Sequence, residues 1–152
     1  MSDKSDFDFL IGNWTIANRR LRIRGVGSSD WDEFPATGHC FKLLEGVVNV
    51  DDFLAPARGL SGASVRTFEA ASQSWSIYWI GGASGKMFPP VHGSFANGGG
   101  EFFGKDEDDG QPVDVRFRWS FQADGRPLWE QAFSRDGGAS WETNWYMDFT
   151  RA

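Results

Sequence analysis

Segments of strict period-two alternation, separated by Asn-Gly and Asp-Gly turns, restrict what this chain can fold into more than any other feature. Asp109-Gly110, Asp124-Gly125 and Asp136-Gly137 each stand between two such segments, and Asn97-Gly98 lies in the break at 96–100. These dipeptides enter the left-handed backbone region cheaply, as a two-residue hairpin loop requires. Helical spacing occurs only at Ser5 to Ile11. There Ser5 or Asp6 would cap a single turn, with Phe7, Leu10 and Ile11 facing inward.

The alternation predicts strands over Trp14 to Arg24, Trp31 to Leu44 and Gly46 to Val50, then a loop over Asp51 to Gly62. Further strands are expected over Ala63 to Phe68, Trp75 to Ile80, Val91 to Phe95 and Glu101 to Gly104. The last three are Val113 to Phe121, Trp129 to Ser134 and Trp141 to Thr150. In the first strand the apolar parity switches between Ile16 and Leu21, which predicts a bulge near Asn18 to Arg20. Arg19, Arg20, Arg22 and Arg24 alternate across that strand and so form no single basic face.

Val113, Val115, Phe117, Trp119 and Phe121 share one face, as do Trp145, Met147 and Phe149. A sheet with one apolar face and no helix to cover it must close on itself. The expected fold is one all-β domain over 1–152, with a short N-terminal helical turn. Its sheet is a single antiparallel up-and-down barrel of about eight to ten strands, aromatic inside. The mid-strand polar residues Arg66, Tyr78, Arg118, Glu130, Asn144 and Tyr146 are expected mostly on the outside.

The 8 Trp and 14 Phe are enough apolar area to drive folding. A formal net charge of -6 repels a phosphate backbone, so nucleic acid is not an expected partner. Cys40 is the one cysteine, which excludes an internal disulfide and fits a reducing compartment. Neither a signal-peptide pattern nor an apolar run of membrane-spanning length is present. A cytoplasmic location without membrane contact is expected.

Gly12-Asn13-Trp14, preceded by Phe7-Asp8-Phe9-Leu10, resembles the start of calycin (lipocalin-like) barrels. Trp75 to Ile80 and Trp141 to Trp145 are similar to segments of small bacterial lipocalin-like barrels of unknown function, the DUF1579 kind. The resemblance implies that Trp14 plugs one end of the barrel and that Arg151, ending the last strand, covers it through a cation–π contact. It imports a fold and not an activity. Ser134-x-Asp136-x-Gly138-x-Ser140-Trp141 matches the Asp-box hairpin of propeller proteins, a structural turn.

His39 and His92 are too few for a zinc site, and His39 and Cys40 point to opposite faces of a strand. No metal is expected. Some calycin-like barrels hold haem through a histidine near the C-terminus, but none occurs from Trp129 to Arg151. No cofactor is expected. Asp106 to Gly110 lacks the spacing of a calcium loop and reads as a solvated turn.

The leading expectation is a binding module for a small hydrophobic or aromatic ligand. Its candidate ligand-facing residues are His92, His39, Tyr78, Trp79, Trp119, Trp145 and Met147. His92 follows Pro89-Pro90 and the glycine-rich 81–85 segment, which would form a lid. The alternatives are an isomerase, cyclase or hydrolase using His92, His39, Tyr78 and Glu130, or a packed barrel serving as a homodimerisation module.

Overall fold

The computed structural model describes residues 2–152. Ten strands form one closed antiparallel barrel in which each strand pairs with its sequence neighbours and β10 closes on β1. They are β1 (Gly12–Leu21), β2 (Trp31–Leu43), β3 (Val48–Ala55), β4 (Leu60–Glu69) and β5 (Ser74–Gly81), followed by β6 (Val91–Ala96), β7 (Gly99–Asp108), β8 (Gln111–Phe121), β9 (Pro127–Ser134) and β10 (Glu142–Arg151). The chain is all-β apart from one-turn 3₁₀ segments, including Asp8–Leu10. Among the described residues no helix is long and apolar enough to cross a membrane.

The hairpin chemistry works as the dipeptides dictate. Asn97-Gly98 and Asp109-Gly110 carry φ of 55°, 78°, 50° and 77° in turn, so β6–β7 and β7–β8 close through two-residue loops. Closure gives every strand a partner on both sides.

Four expectations need correction. Residues 51–62 are not a loop, because β3 runs through Asp51 and Asp52 to Ala55. The strand tolerates both carboxylates because Asp51 pairs inside with Arg66, while Asp52 accepts the His39 N–H outside. No bulge interrupts β1, whose register with β2 runs unbroken from Gly12↔Cys40 to Leu21↔Trp31. Parity is kept because Asn18 and Arg20 turn inward; β1 ends at Leu21 and Ile23 is exposed. The bulge lies in β10, between Thr143 and Trp145, and it buries Asn144 rather than leaving it outside. Finally, only Asp109-Gly110 of the acidic run forms the exposed turn. β7 continues to Asp108, which is buried between Arg24 and Arg135.

The N-terminal turn has no side-chain cap; Asp6 instead accepts Trp75 Nε1–H at 3.0 Å. This holds the segment across one end of the barrel with Phe7 at its centre. Phe7 meets Trp75 and Phe95 edge-on, each at 4.9 Å between centroids, and lies 5.8 Å from Phe102. Trp75 and Phe102 are wholly buried. Edge-to-face aromatic pairs each add about 0.5–1.5 kcal/mol beyond the area they bury.

Candidate functional site: the barrel cavity and its mouth

The interior is not packed solid. A cavity of about 330 Å³ runs from Leu10 and Trp14 near the closed end towards Arg20 and Asp108 near the open end. That volume is at the lower limit of small-molecule sites, roughly 300–1,000 Å³.

The two sides of the cavity differ. β8, β9 and β10 contribute an aromatic wall including Phe117, Trp129 and Trp145. Its rings meet edge-on, Trp129 with Phe117 at 5.1 Å and with Trp145 at 5.8 Å. β2, β3 and β4 contribute the more polar wall: Cys40, Asp51, Ser64 and Arg66 line the cavity beside Phe53, with Asn49 buried behind them. Arg66 was expected outside; it is buried at 4% exposure instead. Its inward parity follows Phe68, which packs against the core from the same face of β4. Arg66 donates to Asn49 Oδ1 (2.8 Å) and Asp51 Oδ2 (2.6 Å), and its guanidinium lies 5.0 Å from the Phe7 ring. Its Nε–H is buried without a partner. A buried unpaired donor costs about 1–3 kcal/mol unless an acceptor reaches it.

Cys40 is buried at 2% exposure, and its thiol donates to Asn49 Oδ1 at 3.3 Å. Burial pushes that thiol up to about 11. The neutral form holds near pH 7, so no thiolate nucleophile is presented.

Two arginine–tryptophan stacks mark the ends. At the closed end the Arg151 guanidinium lies 4.0 Å from the Trp14 ring. Arg151 also donates to the Ile11 and Phe9 carbonyls, and Trp14 Nε1–H donates to the Leu10 carbonyl at 2.7 Å. Gly12 sits at φ 121°, and a Cβ there would stand 2.6 Å from Arg151 Nη1. This is the physical reason for glycine in Gly-x-Trp. At the open end Arg20 lies 4.4 Å from the Trp145 ring, whose Nε1–H donates to the buried Asn18 Oδ1 at 3.0 Å.

The mouth is tied down around it. Asp108 accepts Arg24 Nη2–H at 2.7 Å and also Arg135, and the Arg24 guanidinium holds its carboxyl below the usual carboxylate range. The Gly25 and Gly27 amides donate to Glu142, which pins the β1–β2 loop against β10. Between β5 and β6 only three residue pairs join, Trp75↔Gly93 to Ile77↔Val91. Phe88 and Pro89 border the cavity beyond that seam, with the Phe88 N–H donating to the Trp79 carbonyl.

Of the residues singled out from the sequence, Trp79, Trp119, Trp145 and Met147 line the cavity. His39 borders it, but its ring turns to Asn13 Oδ1 at 2.8 Å on the exposed face of β1. His92 is exposed and its Nδ1 meets Ser76 Oγ at 2.8 Å. Tyr78 and Glu130 alternate with inward-facing neighbours and line no part of the cavity. The four titratable residues therefore do not converge. Ser134, Asp136 and Gly138 form a closed turn: Asp136 accepts from Ser134, the Ser140 amide and the Ser140 hydroxyl, and Ser134 Oγ accepts the Gly138 N–H. Those bonds, the Ser140 hydroxyl first, hold the Asp136 carboxyl at about 2. Trp141 lies beneath Arg116, 4.9 Å from its guanidinium. Among the described residues no three His, Cys, Asp or Glu side chains cluster as a metal site would need.

Arg20, Arg66, Asp51 and Asn18 were not singled out as ligand-facing. Their inward direction follows from the unbroken register of β1 and from the pairing of β4 with β3, which only the folded sheet establishes.

The fold and site define a closed ten-strand antiparallel barrel with an aromatic-walled internal cavity. No protein-family model matches the chain, and no curated protein matches it.

Proposed function

We propose that this is a calycin-type binding module, acting inside the cell, that holds one small, flat, largely apolar molecule in the barrel. The carrying observation is the two-sided cavity of about 330 Å³, aromatic on β8–β10 and polar on β2–β4. Stacking on Trp129 and Trp145 supplies apolar contact, while Asp51, Ser64 and Arg66 supply the polar side. A single buried cysteine suits a reducing interior.

Titration with 2-naphthamide, followed by tryptophan fluorescence and calorimetry, tests the reading. Saturable one-to-one binding is expected. Val115→Phe, which adds a ring at a cavity-lining position, should weaken it at least roughly tenfold while circular dichroism stays unchanged. Binding indifferent to the added ring rejects the reading, as does the absence of binding by both this amide and 2-naphthoate.

A further inference from the structure

We propose that the cavity selects an anion: a flat apolar body against Trp145 and Trp129, with a carboxylate or equivalent acidic head on Arg20. The inference rests on the cavity-binding reading and specifies the charge of its ligand.

Arg20 is half-buried, lines the cavity and stacks on Trp145. Among the described residues it makes no hydrogen bond and no ion pair through its guanidinium. The other cavity cations are compensated, Arg66 by Asp51, Arg24 by Asp108 and Lys105 by Asp114. Burial, then the like charge of Arg24, makes the Arg20 cation less favourable than in water, and only Asp32 offsets this. A guanidinium presents five N–H donors in a fork that matches a carboxylate. With one face held by the Trp145 ring, the edges remain for an acceptor. Asn18 fixes the Trp145 indole from behind, so the platform is set before a ligand arrives. The formal net charge of -6 disfavours anions at the surface generally, so any preference for an acid must originate locally.

The test compares 2-naphthoate with neutral 2-naphthamide at pH 7.5 in wild type, Arg20→Gln and Arg20→Lys. Wild type should bind the acid roughly tenfold more tightly than the amide. Arg20→Gln should bring the two within about twofold by lowering acid affinity alone, and Arg20→Lys should keep part of the preference. Equal affinities in wild type overturn the proposal while the cavity reading stands; this arm needs no variant to fold. A preference that survives Arg20→Gln also overturns it. If neither probe binds, both readings fall.

Discussion

Arg151 lies on Trp14 at the closed end, and Arg20 lies on Trp145 at the open end, at 4.0 and 4.4 Å. Arg151 goes on to donate to two backbone carbonyls of the N-terminal segment, whereas Arg20 has no further partner among the described residues. The aromatic neighbours differ in the same sense. Trp75, behind the closed end, is wholly buried against Phe7 and Phe68, while Trp145 faces a void. One pair of residue types thus serves as a lock where its polar groups are saturated, and as an open platform where they are not.

The largest test of that contrast is truncation of the two tryptophans. Trp75→Ala should cost about 3–5 kcal/mol in urea unfolding, because close-packed surroundings cannot collapse into the space. Trp145→Ala should cost less than half as much, since its ring already lacks partner atoms on one side. Equal losses would mean that the open half is packed as firmly as the closed one.

Next come the arginines. Arg151→Met removes the cation–π contact and two charged hydrogen bonds, an expected loss of about 1–3 kcal/mol, with faster amide exchange over residues 2–11. Arg20→Met should change stability by no more than about 0.5 kcal/mol, because relief of desolvation offsets the lost stacking. A comparable cost at both positions would make Arg20 structural.

Acid sharpens the contrast further. The Asp108 carboxyl is depressed by Arg24 and that of Asp136 lies at about 2, so both are lower folded than unfolded. Their contribution is therefore present above the ordinary carboxylate value of 3.8 and is lost as pH falls through the folded values. Both sit at the open end. Melting temperature should fall between pH 4 and about 2, and fall less in Asp108→Asn.

The last effect is silent at neutral pH. Cys40 is raised from 9.0 to about 11, so its neutral thiol supports the fold fully below 9.0, and that support fades as pH rises towards 11. Cys40→Ala should flatten the alkaline decline between those values, and Ellman's reagent should react with wild type at pH 8 only after urea is added.

Most of the barrel was legible because hairpin loops and alternation are local. β5, β6, β8, β9 and β10 lie within a few residues of their expected limits. β3 was misread because Asp51 and Asp52 look like loop residues until Arg66, 15 positions away, supplies a charge partner. Asp108 carries the same lesson, since its partners Arg24 and Arg135 lie 84 and 27 positions distant. Trp79, Trp119, Trp145 and Met147 could be found by hydrophobicity and parity alone, whereas Arg20 and Arg66 could not be separated from surface arginines.

By itself the sequence determined that this chain makes hairpins, which face of each strand is apolar, and that those faces must close on one another. Side-chain direction and turn type depend on neighbours one to four residues apart. Only the tertiary structure decided that the closed barrel retains a void, that its wall is polar on one side, and that one interior arginine is left uncompensated. Those outcomes depend on which distant strands face each other across the interior. Whether a buried charge is satisfied is a property of that meeting and of no single segment.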